Sequence, residues 1–419
     1  MFIKHSTIAY SLSLATATLL AGCGGAPSDS GSSPTARQAG VLSGQMAGGG
    51  AQAAFVPPQD ADRIAAGSTN TVALRTDGTV FVWGGNAYGQ LANRSGKPSL
   101  VPLQVTGLSG VRAVRAGAYH VLALAQDGSV WAWGSNSAGQ LGQAGTIPGV
   151  PAKVPGLSNV TVVTAGQAHS TAVAQNGSVW GWGALPGRAS VAAAQVKELN
   201  GVKSVVAGGN FNLALKADGT VWGWGGNSNG QVGAGYRTAL VATPVRVANV
   251  DKVVALAAGS VHALALRNDG SVWSWGSNNF GQLGFPGESA VPHAVKGLPV
   301  PVNGASGVKA IAAGAYNSAV LYADGSVWAW GDNSAGQLGN GTTANAGAPV
   351  RINSVANIAA LSIGERFIVL VAADGRAYAL GANADGQLGN NTVSRAKVPV
   401  QVVGLSGVGY LNLGQSTSH

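Results

Sequence analysis

The 419 residues hold 24 Lys and Arg against 15 Asp and Glu, a formal charge of +9, with 65 glycines and only 9% charged against 46% hydrophobic residues. A disordered chain shows the opposite balance, so that class is excluded. The cations are scattered in small pairs such as Arg112/Arg115 and Arg395/Lys397. A nucleic-acid surface gathers them on one face, so no nucleic-acid partner is expected.

The first element in chain order is an address. Lys4 and His5 make a short basic start, and Ile8 to Leu20 is a small-residue and apolar run of export-signal length. It is too short and too rich in Ser and Thr for a comfortable membrane span. It ends Leu20-Ala21-Gly22-Cys23, which resembles the bacterial lipoprotein box. That resemblance implies cleavage after residue 22, lipidation of Cys23 and a cell-envelope protein. Gly24 rather than Asp after the cysteine favours the outer membrane. Cys23 is the only cysteine, so neither an internal disulfide nor a cysteine metal cluster is possible. Residues 23–58, rich in Gly, Ser, Ala and Pro, read as a flexible tether. About 35 such residues span on the order of 30 Å.

Residues 59–419 repeat one pattern seven times. A Val- or Ala-rich run ends at Gly67, Gly117, Gly166, Gly208, Gly259, Gly314 and Gly364, and a second glycine follows 11 residues later each time, from Gly78 to Gly375. A constant internal offset with variable spacing between repeats means a fixed hairpin with loops of different length. In the second repeat Val111–Ala116, His120–Ala125, Ser129–Trp133 and Ala152–Val154 read as four short strands. Asp127-Gly128 separates the middle pair, and Asp-Gly predicts a type I′ turn. Trp131 and Trp133 lie two apart and share a face, and ten of the eleven tryptophans form such pairs. Sheets of this size cannot bury their faces alone, so the fold expected is all-β, a closed seven-bladed propeller with four antiparallel strands per blade. An open stack would leave two apolar ends uncapped. Leu411-Asn412-Leu413-Gly414 repeats the start of a first strand and is placed to complete the ring beside the first blade.

Gly-x-Asn-x-x-Gly-Gln-Leu-Gly follows the third strand at Gly134–Gly142, Gly276–Gly284, Gly331–Gly339 and Gly381–Gly389, with variants at Gly84–Ala92 and Gly225–Gly233. With the Asp-Gly and Trp-Gly landmarks, this resembles the repeat of the regulator of chromosome condensation family over about residues 60–414. The resemblance implies a seven-bladed propeller. The family's founder is a nucleotide-exchange factor on chromatin, which does not suit an exported chain. A bacterial branch includes a secreted inhibitor of β-lactamases, similar in architecture but with shorter repeats, and no inhibitory residues map onto this chain.

Little suggests chemistry. Six of the acidic residues sit in the hairpin turns, and no local motif pairs two carboxylates with separated roles. His120, His169 and His262 occupy one repeat position that holds Asn or Phe elsewhere, which marks a packing slot rather than metal ligands. The glycines lack the Gly-Lys-Ser/Thr of a phosphate loop and read as tight turns, with Leu as a plug and Gln bonding backbone. No cofactor, metal or catalysis is expected.

A meander sends its first-to-second and third-to-fourth connections to one face, and that face carries the residues that vary. Tyr119, Tyr316, Glu365 and Arg366 follow landmark glycines, and Tyr88 and Phe280 lie in the Asn-x-x-Gly loops. Aromatic and Arg side chains on such loops are hot-spot material, so they are the candidate surface for an envelope protein partner of a monomeric chain. The third repeat replaces the Asn-x-x-Gly-Gln-Leu-Gly loop with residues 184–197, and the fifth is the longest, which makes the ring asymmetric. Two other readings stay open: an inhibitor of a β-lactamase or cell-wall hydrolase, and a polysaccharide-acting enzyme using Glu365 or Glu198.

Overall fold

The structure, a computed structural model, describes residues 62–414 except 146–148, 186–187 and 286–294. The export signal, Cys23 and the tether lie outside the described residues. Within them the chain forms seven four-stranded antiparallel sheets, each with its strands in sequence order. In the second blade these are Val111–Ala116, His120–Ala125, Val130–Gly134 and Ala152–Lys153. The all-β, seven-bladed fold is as the repeat implies.

Burial follows the strand order. The second strands are almost wholly buried, as at His120–Ala125. The fourth strands are only partly buried, as at Ser99–Gln104. Seven buried apolar clusters fill the seven seams between neighbouring blades. Val72 and Val82 of blade one meet Val114 and Trp133 of blade two in one of them. The paired aromatics divide this work: Trp83, Trp133, Trp182, Trp275 and Trp330 are fully buried in seams, whereas Trp131, Trp180 and Trp328 stay half-buried at the rim.

The Asp-Gly hairpins correct the turn type. Gly78 donates to the Arg75 carbonyl at 3.0 Å and has φ of 84°, but Asp77 has no positive φ. A type I′ turn needs positive φ at both central residues. The turn is therefore type I with a left-handed glycine after it. The cause is the aspartate itself: its carboxylate accepts the Thr79 N–H at 2.8 Å, which holds Asp77 in the ordinary region. The same bond recurs at Asp127, Asp218, Asp269 and Asp324, and with the adjacent Ser or Thr hydroxyl it pulls each carboxyl below the usual range.

The ring closes. A Cβ added at Gly67 would lie 2.8 Å from the Gly117 carbonyl oxygen, and the same approach repeats from blade to blade until Gly364 meets the Gly67 oxygen at 2.5 Å. Only glycine allows backbones this near. Leu413 donates to Gly375 at 2.9 Å, as Ile358 does to Gly325 at 3.1 Å one blade earlier, and the Leu413 carbonyl accepts Thr76 N–H at 3.1 Å and the Arg63 guanidinium. The terminal fragment thus supplies the start of a first strand that in blade one is only three residues long, Ile64–Ala66. Leu411 and Leu413 are buried in the seam it seals.

Blade three departs from its neighbours. Its third strand, Val179–Leu185, runs on and pairs directly with a nine-residue fourth strand, Arg188–Val196. The passage 184–197 that replaces the loop is mostly strand.

Candidate binding site at the channel mouth

The first-to-second connections of all seven blades converge on one concave mouth of about 620 Å³. Its wall is largely backbone, because the landmark glycines and the alanines before them line it. Tyr119, Tyr316 and Glu365 stand on this wall, and Glu365 is its only charged side chain among the described residues. Gln167, Asn210 and Asn229 add neutral polar groups.

The Asn-x-x-Gly-Gln-Leu-Gly loops are built as rigid supports for the rim. In blade two the Asn136 side-chain oxygen accepts the Leu141 N–H at 3.0 Å, and Gln140 Oε1 accepts the Ala138 N–H at 2.9 Å. Leu141 plugs the seam to blade three. The Gln140 carbonyl then accepts from Trp182 Nε1 at 2.8 Å and Ser170 Oγ at 2.9 Å, both in blade three. The plug and the Gln bonds agree with the sequence reading; the two roles of Asn and of the Gln carbonyl were not foreseen.

This architecture places each loop beside the next blade's first connection, and it brings four of the six candidate residues into pairs. Tyr88 of blade one lies on Tyr119 of blade two, ring centroids 4.9 Å apart and tilted by 43°. Phe280 of blade five lies on Tyr316 of blade six at 5.0 Å and 47°. Tyr88 is 48% exposed, whereas Tyr119, Phe280 and Tyr316 are half-buried. Glu365 and Arg366 are exposed on blade seven and make no comparable pair. The pairing could not be read from spacing within a repeat, since each pair joins two repeats. Gln167 and Asn210 were also missed, although they sit in the same connections as Tyr119.

The three histidines lie behind the glycine ring, fully buried. Nε2 of His120 is 2.9 Å from Ser170 Oγ, and that hydroxyl already spends its proton on the Gln140 carbonyl. His120 therefore carries a proton on Nε2. His262 repeats this with Ser318 and Gln282, and His169 faces Asn212 Oδ1 at 3.0 Å. Burial pushes the three pKa values down to about 3, 3 and 4, respectively. Each ring thus bridges to the next blade, and among the described residues no three His, Cys, Asp or Glu side chains gather into a metal-binding group. Replacement by Phe211 and Phe367 in blades four and seven suits the same bridging slot.

The fold and mouth define a class: a closed propeller that presents a shaped loop face. Comparison with known proteins makes this definite. The RCC1-like domain profile matches residues 184–419, more than half of the chain, and regulator of chromosome condensation (RCC1) repeat profiles match 77–124 and 127–173. The chain belongs to the RCC1-like domain family. Human probable E3 ubiquitin-protein ligase HERC6 is 39% identical over 119 residues, 28% of this chain and 12% of that protein. The mouse X-linked retinitis pigmentosa GTPase regulator is 37% identical over 114 residues, 27% of this chain and 11% of that protein. Most of each relative thus lies outside the match. Among solved structures, Prp20p of Saccharomyces cerevisiae superposes with a TM-score of 0.71 at 24% identity, covering 78% of this chain and 86% of that one. Human WBSCR16 gives 0.68 at 22% identity, covering 78% and 94%. These likenesses establish the fold.

Proposed function

We propose that the chain is a non-catalytic lipoprotein of the bacterial cell envelope that binds a protein partner across the channel mouth. The observation that carries the reading is the pair of partly exposed aromatic stacks, Tyr88–Tyr119 and Phe280–Tyr316, flanking a concave mouth with one charged side chain among the described residues of its wall. Aromatic anchors held by a rigid scaffold lose little entropy on binding and dominate interface energies. Prp20p, a neighbour in fold, is described with binding properties to Gsp1p and histones, which accords with protein recognition as a use of this architecture. The anchor is Cys23, and the tether holds the propeller off an outer-membrane surface.

Affinity capture from detergent-solubilised envelope is expected to return a stoichiometric partner that is lost when Tyr119, Tyr316 and Arg366 are changed to Ala. Recovery of no partner by the unaltered chain overturns the reading. A mass increase from acyl groups, absent in Cys23→Ser, checks the anchor. The concavity of the mouth favours one narrower version, in which a protruding loop of a β-lactamase or cell-wall hydrolase enters it and is inhibited. Titration at micromolar protein without slowing of either enzyme class removes that version.

A further inference from the structure

Each link between blades sets one apolar side chain against the rim aromatic of the blade it leads to. That residue stands three before the next first strand. In five links it is Leu or Val: Leu108 shares a buried cluster with Trp131, Leu157 with Trp180, Leu199 with Trp222, Val250 with Trp273 and Val355 with Tyr378. The link into blade six has Ala305 instead, which shares its cluster with Trp328. A methyl group covers less of an indole than a leucine or valine does. A cleft of about 610 Å³ opens there, lined by Trp328.

Blade six departs at a second position, two residues before the turn aspartate. There Arg75, Lys216 and Arg267 lie over the rings of Phe81, Trp222 and Trp273 at 4.7, 4.6 and 5.7 Å, respectively. Blades two, three and seven have Ala125, Ala174 and Ala372 in that place. Blade six has Tyr322, whose ring stands nearly perpendicular to Trp328 at 77°, centroids 6.4 Å apart. Both rings are half-buried and line the cleft, together with the exposed Asn303, Asp324 and Arg351. The turn uses only Oδ1 of Asp324, which accepts the Ser326 N–H at 2.8 Å and hydroxyl at 2.7 Å.

We propose that this cleft binds a neutral sugar unit of a polysaccharide. The C–H face of a pyranose is weakly positive and packs on the negative face of an aromatic ring. Its hydroxyls both donate and accept, which suits a carboxylate, a guanidinium and an amide side by side. The charges of Asp324 and Arg351 offset each other, so an uncharged ligand fits. The volume falls in the range of small-molecule sites, roughly 300–1,000 Å³. Asp324 is the only carboxylate among the described lining residues, and glycoside cleavage takes two, so the site holds a sugar without cutting it. The inference does not rest on the channel-mouth reading, since the cleft lies at the Asp-Gly turn of blade six.

An array of immobilised neutral glycans (linear glucans, galactans, mannans and N-acetylglucosamine oligomers) tests it with the full-length chain in detergent. Retention on at least one of them is expected. Ala305→Leu is expected to abolish retention while the thermal midpoint holds or rises, because it restores the side chain that other links carry. Asp324→Asn is expected to weaken binding at least tenfold and to keep the turn, since Asn176 accepts the Ser178 N–H at 3.0 Å in the same place. No retention on any glycan, or retention unchanged in Ala305→Leu, overturns the proposal. Tyr119→Ala with Tyr316→Ala is expected to leave retention intact; its loss there would assign the sugar to the mouth and overturn the cleft. Partner capture unaffected by Ala305→Leu keeps the two sites separate.

Discussion

Single residues in this ring act across seams, so their effects are sharper than their own blades suggest. Trp182 is wholly buried and donates to the Gln140 carbonyl of the preceding blade. Trp182→Ala is expected to cost about 3–5 kcal/mol in urea unfolding, the range for large aromatic deletions in a core. The histidines make stability pH-dependent. Unfolded imidazoles take up protons near pH 6.5, whereas His120, His169 and His262 in the fold resist them down to about 3, 4 and 3. The unfolded chain thus gains protons first, and stability falls as pH drops from about 6.5 toward 4, by about 1.4 kcal/mol per pH unit for each histidine. Denaturation midpoints measured across that window should show the fall, and His120→Phe should make it shallower by roughly one third. The slot itself was visible in the sequence, but the neutral state was not, because it depends on burial between packed blades.

At the level of the element, the Asn-x-x-Gly-Gln-Leu-Gly loop is a hydrogen-bonded unit. Asn333 accepts from Leu338 at 2.9 Å and donates to Ala344 at 2.9 Å, so Asn333→Ala leaves buried groups unmet and should cost about 1–3 kcal/mol by chemical denaturation. Blade three offers the contrast. It has no such loop, so Trp224 of blade four finds no Gln carbonyl and Asn212 Nδ2 is buried without a partner. Leu185 covers Gly181 where Val232 covers Gly223 in blade four, so the apolar half of the loop is replaced and the polar half is not. Trp182→Phe should therefore cost about 1–2 kcal/mol, and Trp224→Phe should fall within about 0.5 kcal/mol of the unaltered protein. Equal losses would mean that the indole N–H at the third seam has an acceptor. The hairpins show the limit of local reading. Asp-Gly marks the turn correctly, but a carboxylate with a donor two residues on selects type I rather than type I′.

For the whole molecule the decisive feature is closure. The first strand of blade one is short, and the terminal fragment 411–414 completes it, with Leu413 at zero exposure. Leu413→Ala should lower stability by about 2–5 kcal/mol and steepen hydrogen exchange in blades one and seven before the rest. If blades three and four exchange first instead, closure is not the weak point. Binding belongs to this scale too, since Tyr88 with Tyr119, and Phe280 with Tyr316, become surfaces only when adjacent blades meet.

Repeat length, strand number, ring closure and the face that carries variable residues were all legible in the chain, because each follows from a periodic pattern that one blade imposes on the next. The third blade's missing loop was legible as well. The cross-blade aromatic stacks and the buried neutral histidines were not. Each depends on which atoms of one repeat face another, and that geometry comes into being only as the sheets pack around a common axis.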